Sequence, residues 1–153
     1  MRTALLACGM LAAAASAPAD AAAQLGDSVL VSISVPETVR AGRPVPIRLG
    51  LTNRFGRPVT LRLASLRPLP VWDVRVSAAD GHVVWTGLHV PSAGFEGGVL
   101  ALAPHETRTT TVIWDQRDAY GRPVPRGRYR VHGFLYARLP RGRSTGYVPL
   151  RIR

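Results

Sequence analysis

The sequence predicts an all-β domain, built as a sandwich or a barrel. Short runs of residues alternate between apolar and polar side chains, which is the period-two pattern of strands with one buried face. Turns rich in glycine and proline separate these runs about every ten residues. Together these two observations predict about eight or nine short strands and no helix.

The first half of the chain supplies three predicted strands. Residues from Ser28 to Val35 and from Ile47 to Thr52 each alternate strictly, and a third strand runs from Val59 to Leu63. The segment from Asn53 to Pro58, between the second and third predicted strands, contains the glycine and proline typical of a tight turn. This part of the chain therefore predicts antiparallel strands joined by short turns.

The middle of the chain contains a predicted hairpin. Trp72 to Ser77 alternates, Asp80-Gly81 is a strong turn signal, and the apolar Val83 to Trp85 follows. Four more strands complete the pattern: Val99 to Leu102, Thr107 to Trp114, Arg128 to Ala137 and Tyr147 to Ile152.

Residues 1–23 are predicted to be a signal peptide and 24–153 to be the folded domain. Arg2 begins a stretch whose apolar run extends from Ala4 to Ala15, and Ala21-Ala22-Ala23 before Gln24 offers a cleavage site. We therefore expect a periplasmic, cell-envelope or secreted protein. Lipid anchoring at Cys8 is the less favoured alternative, because only seven residues precede that cysteine.

The composition limits the chemistry of the domain. Cys8 is the only cysteine, so a domain that begins at Gln24 has no disulfide. No later apolar run approaches the length of about 20 residues that crosses a bilayer. The net charge is +11, and all 20 basic residues are arginines, which favours contact with anionic surfaces.

No catalytic or metal-binding pattern is visible, so we expect neither an enzyme nor a cofactor. The four histidines are scattered, and no glycine-flanked nucleophile elbow accompanies them. Asp115 and Asp118 carry oxygen ligands suited to calcium, but both fall in a predicted turn, where aspartate is common for local reasons.

Two surface features suggest binding. Arginines gather around the late strand and predict a non-specific anion patch, formed by Arg126, Arg128, Arg138, Arg141 and Arg143. No nucleic-acid motif is seen, so we expect no specific nucleic-acid partner. Two loops with proline or glycine offer a protein-contact site instead, with contacts at Leu69, Pro70, Pro91 and Phe95.

Four motifs resemble those of the BsuPI-type intracellular proteinase inhibitor family. Trp72–Val76 and Asp80–Trp85 resemble its aromatic-Asp strand, glycine turn and Val-Trp strand. Leu102–Glu106 resembles its Leu-x-Pro-Gly-Glu turn, with His105 in place of glycine. Trp114–Gly133 resembles its most recognisable signature, in which Gly121 and Gly127 suit turns and Asp118 suits a turn cap.

The resemblance covers nearly all of the predicted domain and implies an immunoglobulin-like antiparallel β-sandwich. It also implies a binding protein that inhibits a serine protease of the subtilisin type through a surface loop. The export signal departs from a family whose name says intracellular. Alternatives are a non-inhibitory structural or adhesive immunoglobulin-like module of the cell envelope, or a polyanion binder that uses the arginine cluster.

Overall fold

The computed structural model describes residues 18–25, 29–62, 72–89, 99–135 and 143–153. These residues contain strands and turns but no helix, and so no helix long and apolar enough to cross a membrane. The strands are β1 (Pro18–Leu25), β2 (Val29–Pro36), β3 (Thr38–Val39), β4 (Val45–Asn53), β5 (Val59–Arg62), β6 (Trp72–Ala78), β7 (Val83–His89), β8 (Val99–Leu102), β9 (Thr107–Trp114), β10 (Gly127–Leu135), β11 (Arg143–Ser144) and β12 (Val148–Ile152).

The first sheet has the order β1-β2-β4-β9, and its strand pairs are all antiparallel. Alternation fixes its register: Val31 lies opposite Leu51 and Ile33 opposite Leu49, and all four side chains are buried. A shift by one residue would turn these side chains to the solvent. The alternating sequences of β2 and β4 therefore determine which face of this sheet is buried.

The second sheet has the order β3-β12-β10-β6-β7, with β11 added beside β10. Its pairs are antiparallel except β12 with β3, which run parallel. Its inner face is apolar and buried, and consists of Val74, Val76, Tyr129, Val131, Leu135, Val148, Leu150 and Ile152.

The inner faces of the two sheets pack against each other. Gly133 in β10 marks a close approach, since a Cβ atom there would lie 3.0 Å from Leu49 and 3.6 Å from Ile33 of the opposite sheet. Trp114 is fully buried in the same core, and its ring centroid lies 6.1 Å from that of Trp85. The molecule is thus a β-sandwich with a single apolar core.

A hydrogen bond in the second sheet is typical of immunoglobulin-like domains. The Tyr129 hydroxyl donates to the carbonyl oxygen of Pro125, four residues earlier, at 2.6 Å. Such a tyrosine corner fixes the entry of a strand into a Greek-key sandwich. The predicted immunoglobulin-like antiparallel sandwich is confirmed.

The predicted strands are found, and three short or terminal strands are added to them: β1, β3 and β11. β3 and β11 have two residues each, too few for any alternation to be recognised. β1 lies along β2 and includes residues 18–23, which fall within the predicted signal peptide. Cleavage after Ala23 would leave only Gln24 and Leu25 of this strand.

Candidate anion-binding face

The structure describes part of the predicted contact residues. Six of them lie outside the described residues: Leu69, Pro70, Pro91, Phe95, Arg138 and Arg141. Arg143 begins β11, beside Leu135 of β10. Arg126 and Arg128 are described, and both are exposed at the start of β10. The site is therefore built from this strand outward.

Alternation along β10 divides its side chains between core and solvent. Tyr129 and Val131 are buried, whereas Arg128 and Arg130 are exposed on the outer face of the second sheet. This arrangement follows from the period-two geometry of a strand whose apolar residues must face the core. Two arginines are thereby fixed on one surface by the same pattern that folds the strand.

The register between β10 and β12 adds a third arginine. Arg151 lies between the buried Leu150 and Ile152, so it also faces outward, and it is the direct cross-strand partner of Arg128. Residues directly opposite in an antiparallel pair have Cα atoms about 4.5–5.5 Å apart. We call Arg128, Arg130 and Arg151 the basic face.

Four of the described acids pair with arginines outside the basic face. These ion pairs are Arg75 with Asp73, Arg108 with Glu106, Arg117 with Asp115 and Arg122 with Asp118. No described acid lies within ion-pair distance of any arginine of the basic face. The basic face therefore carries three positive charges without an ion-pair partner among the described acids.

A shallow groove of about 330 Å³ opens beside the basic face. Its lining consists of Glu37, Thr38, Arg128, Tyr129, Pro149, Leu150 and Arg151. Glu37 is the one acid of this lining, and it forms an ion pair with neither Arg128 nor Arg151. Arg128, Arg151 and Thr38 thus border one groove.

A cluster of rings continues the same outer face beyond Arg130. The ring of His132 lies 4.3 Å from that of Phe134 and 4.8 Å from that of Tyr147, measured between centroids. Arg75, opposite His132 on β6, has its guanidinium carbon 4.9 Å from the centre of the Phe134 ring. We call His132, Phe134 and Tyr147 the aromatic cluster.

The members of this cluster differ sharply in exposure. Tyr147 is 62% exposed, whereas His132 is only 6% exposed. The Nδ1 atom of His132 is buried and has no hydrogen-bond partner among the described residues. Burial lowers the pKa of His132 below its ordinary value of 6.5, Arg75 lowers it further, and Asp73 raises it in part. The imidazole is therefore neutral at pH 7.

The turn before β10 confirms the structural roles predicted for Asp118 and Gly121. Asp118 caps the turn by accepting hydrogen bonds from the backbone amides of Tyr120 and Arg122, both at 2.9 Å. Gly121 has a φ of 78°, which favours glycine. Gly127 instead begins β10 without a positive φ.

Among the described residues, no three histidine or acidic side chains come together as a metal site.

Arg151 and Tyr147 were not predicted from the sequence as members of this surface. Alternation in the last strand could have shown that Arg151 points away from the core, because Leu150 and Ile152 are apolar. Its position opposite Arg128 could not have been read, because the two residues are far apart in the chain and the pairing depends on the register of β12. Tyr147 was predicted to begin the last strand, but its place beside His132 depends on the same register.

Neither a protein-family model nor a curated protein matches the chain. Solved structures show a likeness of fold. The CARDB domain of a Pyrococcus furiosus protein, crystallised with di-metal ions, is 15% identical, with 79% of this chain and 84% of that chain covered and a TM-score of 0.40. The C-terminal domain of wzt is 9% identical, with 88% and 70% covered and a TM-score of 0.46. These likenesses concern the fold alone, and membership of the BsuPI-type family stays a prediction.

Proposed function

We propose that this protein is an exported binding module that holds polyanions against the outer face of its second sheet. The observation that carries the proposal is the Arg128–Arg151 pair, in which two like charges stand directly opposite each other without a described acid between them. Like charges in this position destabilise a strand pair. A bound anion would remove that repulsion, which is the arrangement expected of a binding surface.

The geometry suits an extended anion better than a small one. Arg130 stands two residues along β10 from Arg128, about 7 Å away, and the exposed Arg126 precedes them. The charges therefore form a row along the strand, with Arg151 on the neighbouring strand. The groove beside them is shallow and open, so a chain of anionic groups can lie across it without entering a closed pocket.

Binding of heparin, a soluble polyanion, tests this proposal. Its affinity for the purified protein is measured by calorimetry at several salt concentrations. The double variant Arg128→Gln/Arg151→Gln should bind more weakly, with a smaller dependence on salt, because fewer counterions are released. The matched control is Arg48→Gln/Arg54→Gln, which removes two exposed arginines that also lack a described ion-pair partner.

The control separates a specific face from net charge. Both double variants lower the net charge by two, and Arg48 lies on the first sheet, opposite Ser34 and Thr111. Equal loss of heparin affinity in both variants would mean that total charge alone attracts the polyanion. The basic face would then have no special role.

We propose serine proteinase inhibition as the second candidate function, on the resemblance to the BsuPI-type family. One structural observation favours it. Segment 63–71 joins β5 to β6 and segment 90–98 joins β7 to β8, while Arg62 pairs with Val99 and Trp72 pairs with His89. The start of each predicted contact segment therefore lies next to the end of the other.

Titration of a subtilisin-type protease with the purified protein tests inhibition. Stoichiometric loss of protease activity, with the added protein still uncut on a gel, would support an inhibitor. Leu69→Ala and Phe95→Ala should then weaken inhibition, whereas Arg128→Gln should not. Full protease activity at a large excess, together with no binding of heparin, would favour the structural or adhesive module.

A further inference from the structure

We infer that the polyanion is a single-stranded nucleic acid, whose bases stack on Tyr147 while its phosphates follow the basic face. This inference rests on the proposed function, since it needs the arginines to bind an anionic chain. It adds the aromatic cluster, which charge neutralisation alone does not require. Proteins that bind single strands without sequence preference combine these two features, a positive track for the backbone and exposed rings for the bases.

The two features lie on one continuous surface. On β10, Arg128, Arg130, His132 and Phe134 all face outward at two-residue steps, which spans about 20 Å. Tyr147 stands beside His132, next to the strand that carries Arg151. A strand of nucleic acid that lies along β10 can therefore place phosphates at the arginines and a base at the Tyr147 ring.

Tyr147 is positioned as a stacking platform. The phenol ring is 62% exposed, and the buried His132 ring supports it from below at 4.8 Å. Its exposed face lies on the same surface as the basic face, where it offers a base a flat ring to stack on. Pro149, which is exposed, occupies the next outward position of β12, opposite Arg130.

His132 forms the buried side of the aromatic cluster, beneath Tyr147. Its imidazole is more than nine-tenths buried, and its Nδ1 atom has no hydrogen-bond partner among the described residues. Unsatisfied buried polar atoms are rare, and each needs a specific reason. This nitrogen is buried, so a base on the exposed side of Tyr147 does not reach it, and the inference rests on the Tyr147 ring and the basic face.

The ring favours a nucleic acid over an acidic polysaccharide. Every base has a π-face that matches an aromatic side chain, whatever the sequence. A sulfated polysaccharide has the charges that the arginines attract but no planar ring for Tyr147. Tyr147 should therefore contribute to binding of a nucleic acid and be indifferent to heparin.

Two fluorescent oligonucleotides with equal charge test the inference. One is an oligothymidine of about twelve nucleotides, a length within the site sizes of about 4–16 nucleotides known for OB-fold proteins that bind single strands. The other is an abasic strand of the same length, which keeps the phosphates and lacks the bases. Fluorescence anisotropy should show roughly tenfold tighter binding of the oligothymidine to the unmodified protein. Tyr147→Ala should abolish this preference without changing the affinity for the abasic strand, and Tyr147→Phe should retain it.

The arginine variant distinguishes failure of this inference from failure of the proposed function. Arg128→Gln/Arg151→Gln should weaken both strands and reduce the slope of log affinity against log salt by about 1.4, or about 0.7 for each contact. Equal affinity for the two strands, or an oligothymidine preference that survives in Tyr147→Ala, would overturn base stacking and leave polyanion binding standing. Binding of neither strand and no binding of heparin would overturn both.

Discussion

Removing one arginine of the basic face should stabilise the folded protein in low salt. Arg128 and Arg151 are direct cross-strand partners, and a like-charge pair in this position costs about 0.2–1 kcal/mol. Arg151→Gln removes the repulsion while keeping a long polar side chain on the exposed face. We therefore expect the free energy of unfolding to rise by a few tenths of a kcal/mol and, at most, about 1 kcal/mol.

Urea denaturation at low and high salt measures this effect. At about 10 mM salt the Debye length is roughly 30 Å, so the repulsion acts fully, whereas at about 1 M it falls to roughly 3 Å. The gain from Arg151→Gln should therefore disappear in high salt. Arg128→Gln should give a similar gain, and the double variant should gain little beyond either single variant, because only one repulsive contact exists.

The control for this experiment is Arg48→Gln, which removes an exposed arginine whose cross-strand neighbours, Ser34 and Thr111, are uncharged. It should change the unfolding energy less than either variant of the pair. If Arg151→Gln gave no gain in low salt, or a gain unaffected by salt, the two arginines would not repel each other in the folded protein. The observation behind the proposed function would then be lost.

Three further predictions concern single residues. Tyr129→Phe should destabilise the protein by about 1–2 kcal/mol in urea denaturation, because the Pro125 carbonyl loses a 2.6 Å hydrogen bond in a partly buried place; an unchanged unfolding energy would show that the hydroxyl does not hold the corner. His105 has a φ of 58°, in the left-handed region, so His105→Gly should raise the melting temperature by relieving about 1 kcal/mol of backbone strain, and His105→Val should lower it. A higher melting temperature for the valine variant than for the glycine variant would contradict the strain. The pKa of His132 is lowered in the folded protein, so the unfolded chain binds a proton at this residue more readily. The free energy of unfolding should therefore fall as the pH drops from about 6.5 toward the folded pKa. His132→Phe should flatten this dependence, and equal pH profiles for both proteins would refute it.

The strands of the core could be predicted from the sequence because one face of each is buried. Val31 and Ile33 in β2, like Leu49 and Leu51 in β4, appear at every second position, and the core removes all four from water. β3 and β11 could not be predicted, because strands of two residues exist only through their pairing with β12 and β10. The limit is therefore the length over which alternation can be read.

The motif turns were predictable for the same local reasons. His105 occupies the position where the resembling family has glycine, and its left-handed backbone explains why glycine suits that place. The contacts of Gln116, by contrast, could not be predicted from its neighbours in the sequence. Its side chain is buried and donates to the carbonyl oxygens of Arg40 and Arg43, more than seventy residues earlier in the chain. Such a long-range tie has no signal in the residues around it.

The candidate site was predictable by composition but not by position. Five arginines around β10 indicated an anion patch, yet Arg151, which belongs to another strand and was not among them, lies directly opposite Arg128. Sequence spacing gives the charge of a region. Which charges remain uncompensated depends on where the fold places the acids.

The same alternation in β10 that builds the core also isolates the binding surface from it. Tyr129 and Val131 point inward and hold the sandwich together, while Arg128 and Arg130 point outward and add little to its stability. Substitutions on the outer positions should therefore change binding without unfolding the protein, and substitutions on the inner positions should do the reverse. A strand of this kind keeps a repulsive arginine pair because the core stabilises the fold by far more than the pair costs.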